Sequence, residues 1–126
     1  MLTKRSRAMI MVVDDDEDLR LLCERHLRDW GYGTLSASSG LEALQFLNED
    51  PNVDLIILDI KMPTMSGIEV LKKLRARNIN VPVILYSDYS TYRDNFLSWL
   101  ADAFLTKSSD LTELKDKVKQ LLRLSQ

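Results

Sequence analysis

The stretch Val53-Asp-Leu-Ile-Ile-Leu-Asp59 decides the fold of this 126-residue chain. Its apolar residues form a nearly continuous run, which is typical of a parallel strand buried on both faces of a sheet. The run ends in a carboxylate, so the strand would deliver Asp59 to its carboxyl end. In an open parallel α/β sheet, the carboxyl ends of the strands form the edge where ligands bind.

Three further apolar runs also end in residues that can do chemistry. The run Ala8–Val13 is followed by Asp14 and Asp15. The run Val81–Tyr86 is followed by Ser87, and the run Ala101–Thr106 is followed by Lys107. If these runs are parallel strands, then three carboxylates, one hydroxyl and one ammonium group meet at one edge of the sheet. This set of groups suits Mg²⁺ together with a phosphoryl group.

Segments with helical periodicity separate these runs and a shorter strand-like run, Tyr32–Ala37. Five helices are predicted: one carrying Leu19 to Trp30, one between Ser39 and Pro51, one starting at Gly67, a short aromatic helix at Thr91–Leu100, and a last one capped by Asp110. The order is (βα)5 and predicts an α/β fold, a doubly wound parallel five-stranded sheet between two helical layers. The expected strand order, 2-1-3-4-5, places Asp14 and Asp15 beside Asp59.

The composition bounds the kind of protein. A net charge of −2 and a pI near 5.4 argue against broad binding to nucleic acid or to an anionic membrane. The lone cysteine, Cys23, excludes an internal disulfide and the common zinc motifs. No run approaches transmembrane length, and we expect a cytoplasmic location. We expect a flexible basic tail at residues 1–7 and a single domain at residues 8–124.

The acidic run Asp14-Asp-Asp-Glu-Asp18 has two explanations. Acids are favoured at a helix N-terminus, which accounts for its second half. Asp14 and Asp15 instead follow the strand directly, and with Asp59 they would form a cluster of like charges that demands a cation. A hard dication such as Mg²⁺ fits oxygen ligands. From the residues alone, Asp59 is either a metal ligand only or also a nucleophile that forms an aspartyl phosphate.

These motifs resemble the receiver domains of two-component response regulators. The resemblance rests on Val12-Val-Asp-Asp15, on Leu58-Asp-Ile-Lys-Met-Pro63 leading to Gly67, and on the positions of Ser87 and Lys107. It implies a flavodoxin-like receiver fold from about residue 8 to residue 124. It also implies that Asp59 accepts a phosphoryl group from a sensor histidine kinase or a phosphotransfer protein.

The resemblance implies roles for the other residues as well. The metal ligands would be Asp14, Asp15, Asp59 and the backbone carbonyl of Lys61, while Lys107 would pair with the phosphoryl group. Ser87 and Phe104 would form the switch, and a downstream protein would bind the predicted fourth helix, fifth strand and fifth helix. We expect a stand-alone receiver domain that is no enzyme beyond self-phosphorylation and self-dephosphorylation.

Two departures from the family pattern bear on the structure. Ser108 follows the lysine where receiver domains usually carry proline, which leaves open whether the Lys107–Ser108 peptide is cis or trans. Ser66 precedes the glycine where they favour aspartate. Neither departure touches the five groups at the sheet edge.

Three other functions fit parts of the pattern. A flavin-binding module has a similar fold, but it cradles a phosphate after the first strand, where this chain carries repelling acids. A phosphatase of the haloacid dehalogenase type needs an aspartate two residues after its nucleophile, and that position is Lys61. The third is a receiver-like interaction module that works without phosphorylation.

Overall fold

The computed structural model describes residues 7–49, 52–88, 100–107 and 111–124. The strands are β1 Met9–Val13, β2 Gly33–Ala37, β3 Leu55–Leu58, β4 Val83–Ser87 and β5 Ala103–Thr106. The helices are α1 Glu17–Asp29, α2 Gly40–Glu49, α3 Gly67–Ala76 and α4 Thr112–Leu124, so α4 is the last helix of the sequence prediction. No helix within these ranges has the length and hydrophobicity needed to cross a bilayer.

Four of the sequence predictions lie outside the described residues, one of them the Asp110 cap of the last helix. The other three are the tail up to residue 6, the aromatic helix apart from Leu100, and the Lys107–Ser108 peptide.

The sheet has the predicted topology. All four strand pairs are parallel and the order is β2-β1-β3-β4-β5. At the carboxyl edge, Val13 pairs with Ala37 on one side and with Leu58 on the other. This register brings the ends of β1 and β3 side by side, as expected.

The central strands are buried on both faces, which explains their continuous apolar sequence. In β3, Ile56 and Leu58 join the core cluster formed with α2 and α3, while Leu55 and Ile57 join the cluster formed with α1 and α4. Each of these side chains is at most 2% exposed. Burying a side chain of this size contributes about 1.5–3 kcal/mol, so both helical layers are held to the sheet by strong apolar contacts.

A capping box starts α3. The Ser66 hydroxyl accepts a hydrogen bond from the Glu69 amide at 3.2 Å, and the Glu69 carboxylate accepts one from the Ser66 amide at 3.3 Å. These two bonds satisfy two amides that a helix start otherwise leaves without partners. Serine therefore does here what the aspartate usual in receiver domains can also do.

We predict that Ser66→Ala lowers the free energy of unfolding by about 1 kcal/mol, because the N-cap acceptor is lost. Urea unfolding followed by circular dichroism measures this change. Ser66→Asp is the matched control, since aspartate caps a helix equally well, and it should retain wild-type stability. Wild-type stability in the alanine variant would contradict the importance of the cap.

Candidate functional site

Backbone hydrogen bonds continue one residue past the strands and fix the residues at the carboxyl edge. The Asp14 amide donates to the Ala37 carbonyl at 3.1 Å, and the Asp59 amide donates to the Val13 carbonyl at 2.9 Å. The Lys107 amide donates to the Ser87 carbonyl at 2.8 Å. The sheet therefore holds the backbones of these three candidate site residues in place.

Lys107 joins the two buried carboxylates. Its Nζ lies 2.7 Å from Asp14 Oδ2 and 3.4 Å from Asp59 Oδ1. Burial by itself would lower the pKa of Lys107, but the hydrogen bond to Asp14 and the negative charge of Asp59 outweigh it and raise the pKa. The side chain thus stays a charged ammonium group inside the site.

Asp59 is a poorly solvated carboxylate. Burial raises its pKa from 3.8 to about 6, the Lys107 charge acts in the opposite direction, and the Asp14 charge raises it further. One ammonium group therefore does not fully compensate the two carboxylates, and the site favours an additional cation.

The donor set fits such a cation. One carboxylate oxygen from each of Asp14, Asp15 and Asp59 lies within 4.8 Å of the others. Three carboxylates that converge in this way offer the hard oxygen ligands that Mg²⁺ prefers. Asp15 is exposed, which lets a metal at this cluster keep water molecules, as Mg²⁺ does. The contribution of the Lys61 carbonyl stays a prediction.

Asp14 is held more firmly than its neighbour in sequence. Its Oδ1 accepts from the Asp16 amide at 3.0 Å, its Oδ2 accepts from Lys107, and its backbone carbonyl accepts from Arg20 at 2.9 Å. Arg20 has no role among the predictions from the sequence. It lies six residues beyond Asp14, at a spacing that gives no distinctive signal.

Gly67 supports the backbone of Asp59. A Cβ atom at Gly67 would overlap the Asp59 carbonyl oxygen, and the Gly67 amide donates to the Ile60 carbonyl at 2.8 Å. Only a residue without a side chain allows this close approach. From the sequence, Gly67 was predicted only to start a helix, although a glycine soon after a strand-end acid can also indicate close backbone contact.

Ser87 and Phe104 occupy neighbouring strands. Ser87 ends β4, is fully buried and pairs with Thr106 of β5. Phe104 pairs with Leu85, is half-buried, and packs against the core cluster on the α2 and α3 face. The structure thus brings Ser87 to the carboxyl edge of the sheet, with the acids and Lys107. Phe104 lies two residues before the end of β5, away from that edge.

A cavity of about 210 Å³ opens beside Asp59, between α1 and the start of α4. Its walls are mostly apolar and include Leu19, Leu22, Cys23 and Leu114. Leu19 and Leu22 are 40% and 49% exposed, although Leu19, Leu22, Cys23 and Leu27 repeat at helical spacing in the sequence. Burial raises the pKa of Cys23 to about 12, so its thiol stays protonated and packs as an apolar group.

We predict that Asp59→Asn stabilises the metal-free protein at neutral pH. Since the folded state raises the pKa of Asp59 from 3.8 to about 6, it holds that proton more tightly than the unfolded chain. Stability is therefore lost as the pH rises through this window, by roughly 3 kcal/mol at most. Asparagine carries no charge and avoids the loss.

Urea unfolding in EDTA checks this pH dependence. The free energy of unfolding of the variant should exceed that of the wild type at about pH 7.5. The two values should approach each other near about pH 4, where the wild-type carboxyl is protonated. The control is Asp116→Asn, at an exposed position of α4, which should leave the pH dependence unchanged. Equal stability of Asp59→Asn and wild type at both values would contradict the burial penalty.

Comparison with known proteins places this chain in a family. Residues 10–119 match the response regulator receiver domain. The transcriptional regulatory protein PrrA of Mycobacterium tuberculosis is 41% identical over 116 residues, which cover 90% of this chain and 49% of PrrA. This chain thus spans about half the length of that relative.

Solved structures agree with the sequence match. The response regulator TrrA of Thermotoga maritima, in complex with Mg²⁺-BeF, superimposes with a TM-score of 0.87 at 42% identity, covering 90% of this chain and 98% of that one. TrrA in complex with the histidine kinase ThkA gives a TM-score of 0.85 at 43% identity, covering 91% and 98%. With a family match over most of its length, this chain belongs to the response regulator receiver domain family.

Proposed function

We propose that this chain accepts a phosphoryl group on Asp59 from a sensor histidine kinase or phosphotransfer protein, with Mg²⁺, and signals to a protein partner. The observation that carries the proposal is the convergence of Asp14, Asp15 and Asp59 on one site with the Lys107 ammonium group. Membership of the receiver domain family argues against the flavin-binding and phosphatase alternatives.

The hydrogen bonds favour Asp59 as the nucleophile among the three acids. Both oxygens of Asp14 accept hydrogen bonds, from the Asp16 amide and from Lys107 Nζ. Asp15 is exposed, so water solvates its carboxylate and makes it a weaker nucleophile. Asp59 is buried beside the cavity, as Asp14 is, and accepts a hydrogen bond from the Ile60 amide, but its contact with Lys107 is the longer one at 3.4 Å. It is therefore the carboxylate best placed to attack a phosphorus atom.

The same acids would hold Mg²⁺, with the Lys61 carbonyl as a further ligand implied by the family. A bound Mg²⁺ supplies positive charge that offsets the negative charge of phosphoryl oxygens. The crystal structure of TrrA with Mg²⁺-BeF supports this proposal, because TrrA is 42% identical to this chain.

Lys107 would stabilise the product. Its raised pKa keeps the ammonium group charged, and its contact with Asp59 places that charge beside the group to be phosphorylated. A phosphoryl oxygen on Asp59 can then pair with Lys107. This role needs no proton transfer, since charge neutralisation and positioning dominate phosphoryl transfer.

The cavity beside Asp59 would give a phosphoryl donor access to the site. Its apolar wall includes Leu19 and Leu22 of α1, both partly exposed. The complex of TrrA with the histidine kinase ThkA supports a kinase as the donor.

Signalling would begin at Ser87 and Phe104. A phosphoryl group adds negative charge and acceptor oxygens, and the Ser87 hydroxyl at the end of β4 would donate to one of them. Phe104, already packed against the core cluster, would then turn further inward. The downstream protein would bind the surface formed by the predicted fourth helix, β5 and α4.

The remaining expectations are proposals too. We propose that the domain acts in the cytoplasm, with no catalysis beyond its own phosphorylation and dephosphorylation. The stand-alone arrangement stays a prediction from the sequence; the match covers 98% of the TrrA chain in its Mg²⁺-BeF complex and 49% of PrrA.

We predict that acetyl phosphate with Mg²⁺ adds one phosphoryl group to the wild-type protein and none to Asp59→Asn, because an amide is no nucleophile for this reaction. Intact mass spectrometry measures the modification. Asp54→Asn is the matched control. It carries the same substitution just before β3, at the opposite end of the strand, where the Asp54 carboxylate accepts a hydrogen bond from the Met9 amide.

The control variant should be modified like the wild type. Undiminished modification of Asp59→Asn would remove Asp59 as the acceptor. An unmodified wild type would favour the interaction module that works without phosphorylation.

We predict that Asp15→Asn weakens Mg²⁺ binding at least tenfold, a loss seen even for outer-shell partners of metals, and slows phosphorylation. The loss follows because the site has few protein ligands and Asp15 supplies one of the charges. A fluorescence or calorimetric titration with Mg²⁺ measures the affinity. Asp16→Asn is the control, since it removes the same charge one residue away and still caps α1. Equal Mg²⁺ affinities in the two variants would contradict the assigned site.

A further inference from the structure

The register of β5 is weakly fixed by its own side chains. β5 is an edge strand that pairs with β4 alone, and all four of its residues are only partly buried. A shift by one residue would move each side chain by about 3.3 Å and turn it to the opposite face of the sheet. Because Lys107 follows β5 directly, its contacts with Asp14 and Asp59 depend on this register.

Asp102 fixes the register at the opposite end of the strand. Its backbone amide donates to the Val83 carbonyl at 2.9 Å, and its carboxylate Oδ2 accepts from the Val83 amide at 2.8 Å. Both backbone groups of Val83 are thus paired with one residue just before β5 begins. A one-residue shift would break both bonds together.

Arg75, near the end of α3, holds Asp102 in place. Its guanidinium group donates to Asp102 Oδ2 at 3.2 Å and, through Nε, to the Leu100 carbonyl at 3.1 Å. It also donates to the carbonyls of Ile79 and Val81, at 2.8 and 3.0 Å. The planar, forked shape of the guanidinium group lets one side chain hold the segment that enters β4 and the segment that enters β5.

We propose that Arg75 and Asp102 are positioning residues that set the register of β5 and thereby place Lys107 Nζ against Asp14 and Asp59. They act from the end of the sheet opposite to the carboxylates, across about 13 Å of strand. The consequence for phosphorylation rests on the function proposed above. Water screens an exposed ion pair and leaves it little effect on stability, and the Asp102 side chain is 41% exposed. The pair should therefore affect geometry more than stability.

A double-mutant cycle with Lys107 separates positioning from general stabilisation. Phosphorylation by acetyl phosphate with Mg²⁺ is timed in Asp102→Ala, in Arg75→Ala, and in each of these combined with Lys107→Ala. Each single variant should slow phosphorylation on the order of tenfold, a modest loss for a displaced catalytic group. In the Lys107→Ala background neither should slow it further, because the side chain through which they act is gone.

Two further variants serve as controls for the cycle. Arg77→Ala removes a neighbouring arginine whose side chain contacts Asn48 at 3.5 Å, and it should leave the rate unchanged. Asp102→Asn keeps an oxygen acceptor for the Val83 amide and should largely restore the rate. Equal slowing with and without Lys107, or no slowing in the single variants, would overturn the proposal.

A second measurement needs no phosphorylation. Amide hydrogen exchange by NMR reports the bond from the Lys107 amide to Ser87, and cross-strand contacts report the register of β4 and β5. In Asp102→Ala we expect at least tenfold faster exchange at Lys107, while exchange at Asp59, which bonds to Val13 in the sheet centre, stays as in the wild type. Unchanged exchange and register would overturn the proposal even if Lys107→Ala proves unreactive.

The two measurements also separate this inference from the proposed function. If the wild type is never phosphorylated while Asp102→Ala loosens β5, the phosphoacceptor function fails and the register role stands. If the wild type is phosphorylated and Asp102→Ala leaves β5 unaffected, the register role fails and the phosphoacceptor function stands.

Discussion

The contact of one partly buried ammonium group with two buried carboxylates constrains the rest of the structure. Lys107 reaches Asp14 and Asp59 only if the carboxyl ends of β5, β3 and β1 lie at the same edge of the sheet, level with one another along the strand direction. Those strands are not consecutive in the chain, and parallel neighbours require helical crossovers. The continuous apolar sequence of the central strands follows from the same requirement, because helices on both faces bury them.

The site gives up stability that a ligand can restore. Burial raises the pKa of Asp59, with a smaller contribution from the Asp14 charge, so the ionised site costs free energy in the folded state. A cation held by these carboxylates would bind the folded chain in preference to the unfolded one and would stabilise it by mass action. The burial penalty of Asp59 in the free protein would therefore couple cation binding at this edge to folding.

Sequence alone could predict the parts that are written in local patterns. Burial on both faces makes a strand such as Leu55–Leu58 visibly apolar, and the acid that ends it follows at once. The exposure of Leu19 and Leu22 could not be predicted, because helical spacing does not show whether a neighbouring helix fills the space beside it. The contacts of Arg75 with Leu100 and Asp102 bridge 25 and 27 residues and have no periodicity.

Helix α3 links both ends of this arrangement. At its start, Gly67 packs against the carbonyl of Asp59, and near its end Arg75 holds the segments that enter β4 and β5. A ten-residue helix is a stiff body about 15 Å long. A displacement of the Asp59 loop at its start must therefore move Arg75 or break the Gly67 contact. The same helix that supports the carboxylate thus also sets the strand from which Lys107 reaches it, and the two partners of the ion pair are positioned by one rigid element.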